Sequence, residues 1–280
     1  MNEFRGKSAL VTGASAGLGE EFARQLADAG VTHLVLTARR LDRLEDLKRE
    51  LLKAHPTIRV DTVSVDLNDA AAVTQFLAGL EKSARDSFTC DILINNAGLG
   101  DLGTFETSEP ERIESMLAVN IVALTRITRW AVPGMLARKS GFICNVGSTA
   151  GLLPLPTFAV YAATKAYVNS FTEALRVELR GAGIHVNALC PGPVMTEFGS
   201  VASRANSKRK FAPPAFMCVS KEKVVRQTLA ALACGQGRLI PGWLVRFSML
   251  LAESTPRWIL RIVFNFVSRD LHREREQQNR

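Results

Sequence analysis

The chain has 280 residues, 47% of them apolar and 22% charged, which suffices for one large α/β domain and argues against a second full domain. Its formal charge of +8 suits anionic ligands or a negatively charged surface but does not by itself indicate nucleic acid, and no nucleic-acid partner is expected. Five cysteines, Cys90, Cys144, Cys190, Cys218 and Cys234, are odd in number and form no C-x-x-C, so neither a disulfide framework nor a zinc knuckle is indicated and a reducing compartment is expected.

The N-terminus, MNEFRGKSALVTG, lacks the apolar core of a secretory signal, and foldable sequence begins almost at once. SALVT (8–12) reads as a strand, and LGEEFARQLADAG follows as a helix that stops at Gly30. The unit repeats. HLVLTAR is a second strand and LDRLEDLKRELLKA a second helix, with leucines 41, 44, 47, 51 and 52 as its apolar stripe. TIRVDTVSVDL gives a third strand and 69–84 a third helix. DILINNAG gives a fourth strand, 109–138 a long helix and GFICNVGS a fifth strand. The order continues with a long helix at 158–181, strand IHVNALCPG, a helix at 220–234 and a last strand in GRLI. This alternation predicts a Rossmann-type α/β fold, a doubly wound parallel sheet of about seven strands with helices on both faces and ligands at the strands' carboxyl ends. One domain spans 1–241, and an amphipathic extension occupies 242–280.

T-G-A-S-A-G-L-G places Gly13, Gly17 and Gly19 between the first strand and first helix, where glycines let backbone approach a pyrophosphate at a helix N-terminus. The spacing departs from G-x-G-x-x-G and also fits a plain strand-to-helix turn. About 20 residues further on, an NAD site would carry an acid for the ribose 2′-hydroxyl. Here Ala38 is followed by Arg39 and Arg40, whose guanidinium forks match a 2′-phosphate, so NADP(H) is expected over NAD(H). The same arginines also suit a solvated helix entry.

Tyr161 and Lys165 stand at i and i+4 on one helix face. A nearby ammonium favours the phenolate and lowers the tyrosine pKa, giving a tunable acid/base. Ser148 ends the fifth strand, placed to hold a substrate oxygen. Asn120, in V-N-I within the long helix, is an odd choice for an apolar stretch, suited to a water or an exposed backbone carbonyl. Each residue has a plain alternative, respectively a helix pairing, a turn cap and a satisfied buried amide.

Taken together these motifs resemble the short-chain dehydrogenase/reductase family from residue 7 to about 240. They are T-G-x-x-x-G-x-G at 12–19, Asp66 in V-D-L, N-N-A-G at 95–98, Asn120, Ser148, Y-x-x-x-K at 161–165 and P-G followed by Thr196. The resemblance implies an oxidoreductase that interconverts a carbonyl and an alcohol. Tyr161 would exchange the proton, Ser148 would hold the oxygen, Lys165 would lower the tyrosine pKa and bind ribose, and Asn120 would place a relay water. It likewise implies a cofactor wall of Gly13, Ser15, Gly17, Leu18, Gly19, Arg39, Arg40, Asp66, Leu67, Asn96, Ala97 and Gly98. Tyr161, Lys165, Pro191, Gly192, Val194 and Thr196 would complete it. No metal is expected, because His33, His55, His185 and His272 lie far apart.

Leu152, Leu153, Phe158, Met195 and Phe198 suggest an apolar substrate pocket, and Arg204, Lys208, Arg209 and Lys210 a cationic lid that fits a solvated loop or a thioester's phosphate. The extension mixes Trp243, Phe247, Trp258, Ile262, Phe264 and Phe266 with Arg246, Arg257, Arg261 and Arg269. The arginines break any apolar run of the roughly 18 residues a spanning helix needs. Cleft cover or a subunit interface ranks above peripheral contact with anionic lipid. The extension looks like that of reductases in the 3-ketoacyl and hydroxysteroid group, which favours an acyl or lipid-like substrate. By resemblance a homodimer or homotetramer is expected, in the cytoplasm. The competing class is a non-catalytic dinucleotide-binding regulator, against which the presence of Tyr161 and Lys165 argues. Epimerisation or dehydration of nucleotide sugars fits less well, because the region after residue 190 is short.

Overall fold

The structure is a computed structural model that describes residues 2–82, 88–203 and 217–265. Seven parallel strands form one sheet in the order β3-β2-β1-β4-β5-β6-β7. They are β1 (Ser8–Thr12), β2 (His33–Ala38), β3 (Arg59–Ser64), β4 (Ile92–Asn95), β5 (Gly141–Val146), β6 (Ile184–Leu189) and β7 (Arg238–Leu239). The helices are α1 (Gly17–Asp28), α2 (Leu41–Ala54), α3 (Ala70–Lys82), α4 (Pro110–Leu117), α5 (Leu124–Arg138), α6 (Ala159–Glu178), α7 (Phe198–Ala202), α8 (Lys221–Ala233) and α9 (Trp243–Ser254). A further helical stretch covers 257–265.

Both faces of the sheet are covered, so its strands are apolar on alternate residues in both directions. Ala9, Val11, Leu34, Leu36, Ile92, Ile94 and Cys144 point to a core closed by α1, α2 and α8. Leu10, Val35, Leu93, Ile143 and Val186 point the other way, against α3, α5 and the end of α6. Full burial of a single side chain such as Phe22 contributes about 1.5–3 kcal/mol.

Strand ends fall short of the sequence reading. The third strand stops at Ser64, because Asp66 turns the chain by accepting the Asn68 N–H at 3.0 Å. The fourth stops at Asn95, the fifth at Val146, the sixth at Leu189, and the last is two residues long, since the chain beyond each turns into loops at the sheet's carboxyl edge. On α2, Leu44, Leu47 and Leu51 are buried, whereas Leu41, in the first turn, is exposed and Leu52 is only partly covered.

The helix expected over 109–138 is interrupted. Residues Ala118–Ala123 form a π turn between α4 and α5, a feature often found at functional sites. Asn120, wholly buried, is inside it.

Candidate active site

Strand order reverses between β1 and β4, and the loops beyond these strands bound a cleft of about 580 Å³. Its floor is the glycine turn after β1. Gly13 has φ +67°, and a Cβ on Gly19 would strike the Gly13 carbonyl, so the turn and α1 pack only as glycine. Asn96 fastens this turn to β4, its Nδ2 donating to Thr12 O at 3.0 Å and Gly13 O at 3.1 Å. The first turn of α1 receives no side-chain cap from Ala16, which leaves backbone N–H groups at the cleft wall for an anion.

Farther along the same wall stand Ser15, Arg39, Arg40, Asp66, Leu67 and Asn68. Arg40 Nη2 donates to Ser15 Oγ at 3.3 Å and pairs with Glu197 Oε2 at 3.0 Å. The glycine turn, the open helix end and the two guanidinium groups fit a dinucleotide, pyrophosphate at one end and a ribose phosphate at the other.

The reactive groups come from β5 and α6. Tyr161, Ala162, Thr164, Lys165, Val168, Asn169 and Thr172 make the buried face of α6, and most of them are polar. That polarity serves to grip the end of β5. Lys165 Nζ donates to Val146 O at 2.8 Å, and Asn169 Nδ2 donates to Ser148 O at 3.1 Å. A Cβ on Gly151 would overlap the α6 backbone at Lys165, so the 3₁₀ turn Thr149–Leu152 lies directly on the helix. Ser148 caps that turn, its Oγ accepting the Ala150 N–H at 3.0 Å, and lines the cleft with Tyr161 and Lys165.

Burial pushes the Tyr161 phenol up to about 12, with a hydrogen bond from Ser148 offsetting part of the rise. Burial lowers the Lys165 ammonium to about 8. The expected lowering of the tyrosine is therefore reversed in this structure. Lys165 turns its charge to the Val146 carbonyl and lies 5.9 Å from the centre of the Tyr161 ring, so desolvation of the phenol outweighs it. At neutral pH Tyr161 holds its proton, and Ser148 retains a hydroxyl proton to give.

Of the catalytic and cofactor residues singled out in the sequence, all line this cleft except Gly19, behind the turn, and Asn120. The Asn120 amide is fully engaged. Its Oδ1 accepts the Leu99 N–H at 2.8 Å, and its Nδ2 donates to Leu99 O at 2.9 Å and Thr164 Oγ1 at 3.0 Å.

The opposite wall is apolar. Leu153, Phe158 and Phe198 line it as expected, joined by Leu155, Val201 and Met249. The Tyr161 ring lies between Phe158 and Phe198, with centroids 5.6 and 5.4 Å away. Leu152 and Met195 are not on this wall. Met195 is largely exposed and borders a neighbouring hollow of about 280 Å³. The lid run Arg204, Lys208, Arg209 and Lys210 lies outside the described residues, as do Phe266 and Arg269. Asn169 and Glu197 were not singled out; Asn169 follows Lys165 by one helical turn, a spacing that could have found it.

The fold and this cleft define a nicotinamide-dinucleotide oxidoreductase acting on a carbinol or carbonyl carbon. The sequence profile of the short chain dehydrogenase family matches residues 7–207, and the chain belongs to that family. It is 39% identical over 202 residues to the NADP-dependent 3-hydroxy acid dehydrogenase YdfG of Salmonella typhi, covering 71% of this chain and 78% of that protein. It is 30% identical over 270 residues to the very-long-chain 3-oxoacyl-CoA reductase of Homo sapiens, covering 93% of this chain and 79% of that one. Among solved structures, a short-chain dehydrogenase from Sphingobium yanoikuyae in complex with NADPH superposes with a TM-score of 0.75 at 29% identity, covering 88% and 92% of the two chains.

Proposed function

We propose that the protein is an NADP(H)-dependent reductase of an apolar ketone or aldehyde, with an acyl or lipid-like chain on the substrate. The observation that carries this reading is that a protonated Tyr161, Ser148 and Lys165 meet between a dinucleotide-fitting wall and an apolar wall. The bound dinucleotide supplies the hydride. Ser148 donates to the carbonyl oxygen and fixes its place, and Tyr161 transfers its phenolic proton to that oxygen as negative charge develops there. Lys165 stabilises the phenolate left behind and lies one helical turn from it, ready to hold a ribose hydroxyl. Phe158, Phe198 and Met249 exclude water from the reacting carbon.

The preference for the phosphorylated cofactor rests on Arg39 and Arg40, since among the cleft residues at the end of β2 no acid takes their place. Asn120 holds Leu99 through both backbone groups, and the π turn around it is where a backbone carbonyl would be offered to a water relay. The acyl assignment is supported by the human relative, whose match spans 93% of this chain and so reaches past Trp243. Association through α5 and α6 is part of the reading, supported by exposed Leu136, Tyr167 and Val177. A cytoplasmic location is supported by the free thiols of Cys90, Cys144, Cys190 and Cys234.

The test is NADPH oxidation against 3-oxoacyl thioesters, steroids, bulky ketones and aldehydes, with Tyr161→Phe beside the wild type. Removing the proton donor is expected to lower turnover by about 10²–10⁴-fold with NADPH affinity unchanged. Turnover by Tyr161→Phe at the wild-type rate overturns the assignment.

A further inference from the structure

Helix α9 is apolar on two sides. Its inner side carries Val245, buried against Gly192, and Met249 at the cleft wall. Its outer side carries Trp243, Phe247, Leu250 and Leu251, at i, i+4, i+7 and i+8, all more than half exposed, with Trp243 at 81%. The helical stretch 257–265 continues the pattern with Trp258, 63% exposed, Ile262 and Val263. A helix of this composition normally faces a core on both sides.

The charge on this surface has one sign. Arg246, Arg257 and Arg261 are exposed and make no ion pair among the described residues. Between residues 243 and 265 the only acid is Glu253, held by Arg238 at 2.8 Å. A second copy meeting this face about a twofold axis would set these arginines against their own equivalents. A surface of anionic headgroups above hydrocarbon matches both parts of the pattern: tryptophans and leucines enter the boundary, and guanidinium groups stay at the phosphates.

We propose that α9 and the 257–265 stretch seat the protein on an anionic membrane surface, lying in the interface rather than crossing it. No helix among the described residues is long and apolar enough to cross a membrane. The docking places α9, whose inner side carries Met249 at the cleft wall, between the cleft and the lipid, where an apolar substrate of the kind proposed above would be drawn from the bilayer.

The test is flotation of the full chain with vesicles of phosphatidylcholine alone or with phosphatidylglycerol. It is joined by quenching of Trp243 and Trp258 by brominated phosphatidylcholine. Recovery with the anionic vesicles and quenching of these tryptophans are expected. Arg246→Gln/Arg257→Gln/Arg261→Gln is expected to weaken binding about fivefold per arginine removed. Trp243→Ser/Phe247→Ser/Leu250→Ser is expected to abolish it. NADPH binding, measured on every variant, is expected to stay at the wild-type value, which separates this proposal from the cofactor reading. Wild-type protein remaining with the soluble fraction for both vesicles overturns it. So does unchanged flotation of the apolar triple variant. A concentration-dependent dimer that the same variant dissolves would identify the occupant as a second copy and overturn it as well.

Discussion

Asn120→Ala isolates what the buried amide does. The substitution strips both the N–H and the carbonyl of Leu99 of their partner and removes one of two bonds from Thr164, which keeps its donation to Tyr161 O at 2.8 Å. An unpaired buried polar group costs about 1–3 kcal/mol. Leu99 is only partly buried, so water recovers some of this, and the two backbone groups together are expected to cost about 2–4 kcal/mol. At about 2 °C per kcal/mol for a chain of this length, Tm falls by about 4–8 °C. Asn120→Asp sharpens the test. A carboxylate keeps the Leu99 N–H but confronts Leu99 O, whereas the neutral acid can donate to it. The Asp variant should therefore gain stability relative to wild type as pH falls, because its buried carboxyl binds a proton more readily folded than unfolded. Calorimetry at several pH values, with NADPH titration, reads both effects. A variant Asn120→Ala that melts with the wild type yet loses turnover would refute the structural role and return the amide to the water relay.

Lys165 and Tyr161 give the stability profile a defined shape at alkaline pH. The lysine falls from its usual 10.5 to about 8, so between these values the unfolded chain holds more protons and stability should rise with pH. The tyrosine is raised from 10.0 to about 12, so across that window the folded chain holds more protons and stability should fall. Lys165→Met is expected to erase the rise, and denaturant melts between pH 7 and about 10 would read its persistence as a refutation. At the far end of the cleft, Arg40→Ala is expected to weaken NADPH about 10-fold or more and leave NADH unchanged. Glu197→Gln, which releases Arg40 from an exposed pair, is expected to tighten NADPH by up to about fivefold. Equal effects on both dinucleotides in a binding titration would dismiss the phosphate assignment.

Much of the site was legible because its parts are local in sequence. The glycine turn, Y-x-x-x-K and the arginine pair each carry their chemistry within a few residues. What escaped was set by contacts between distant segments. The grip of Asn169 on Ser148 joins residues 21 apart, and the Arg40–Glu197 pair joins residues 157 apart. The reversed shift of Tyr161 could not be read from spacing, since it depends on how deeply residues such as Phe158 and Phe198 bury the phenol. Strand ends were overextended because Gly147 and Ser148, beyond Val146, and Pro191 and Gly192, beyond Leu189, serve the cleft rather than the sheet. The π turn left no periodic trace, as Val119 and Ala123 within it still face the core.

The order of strands also bears on how the chain is made. β1 ends at Thr12 and takes β2 on one side, but its other neighbour, β4, begins only at Ile92. A growing chain that has released β1, β2 and β3 thus carries a bare edge at what will become the middle of the sheet, flanked by Leu10 and Val11. Nascent chains halted in that interval are expected to aggregate or recruit chaperones, since an unpaired apolar strand edge invites other strands. The turn that fits pyrophosphate is synthesised before this hazard passes, and the groups that fit chemistry only after it.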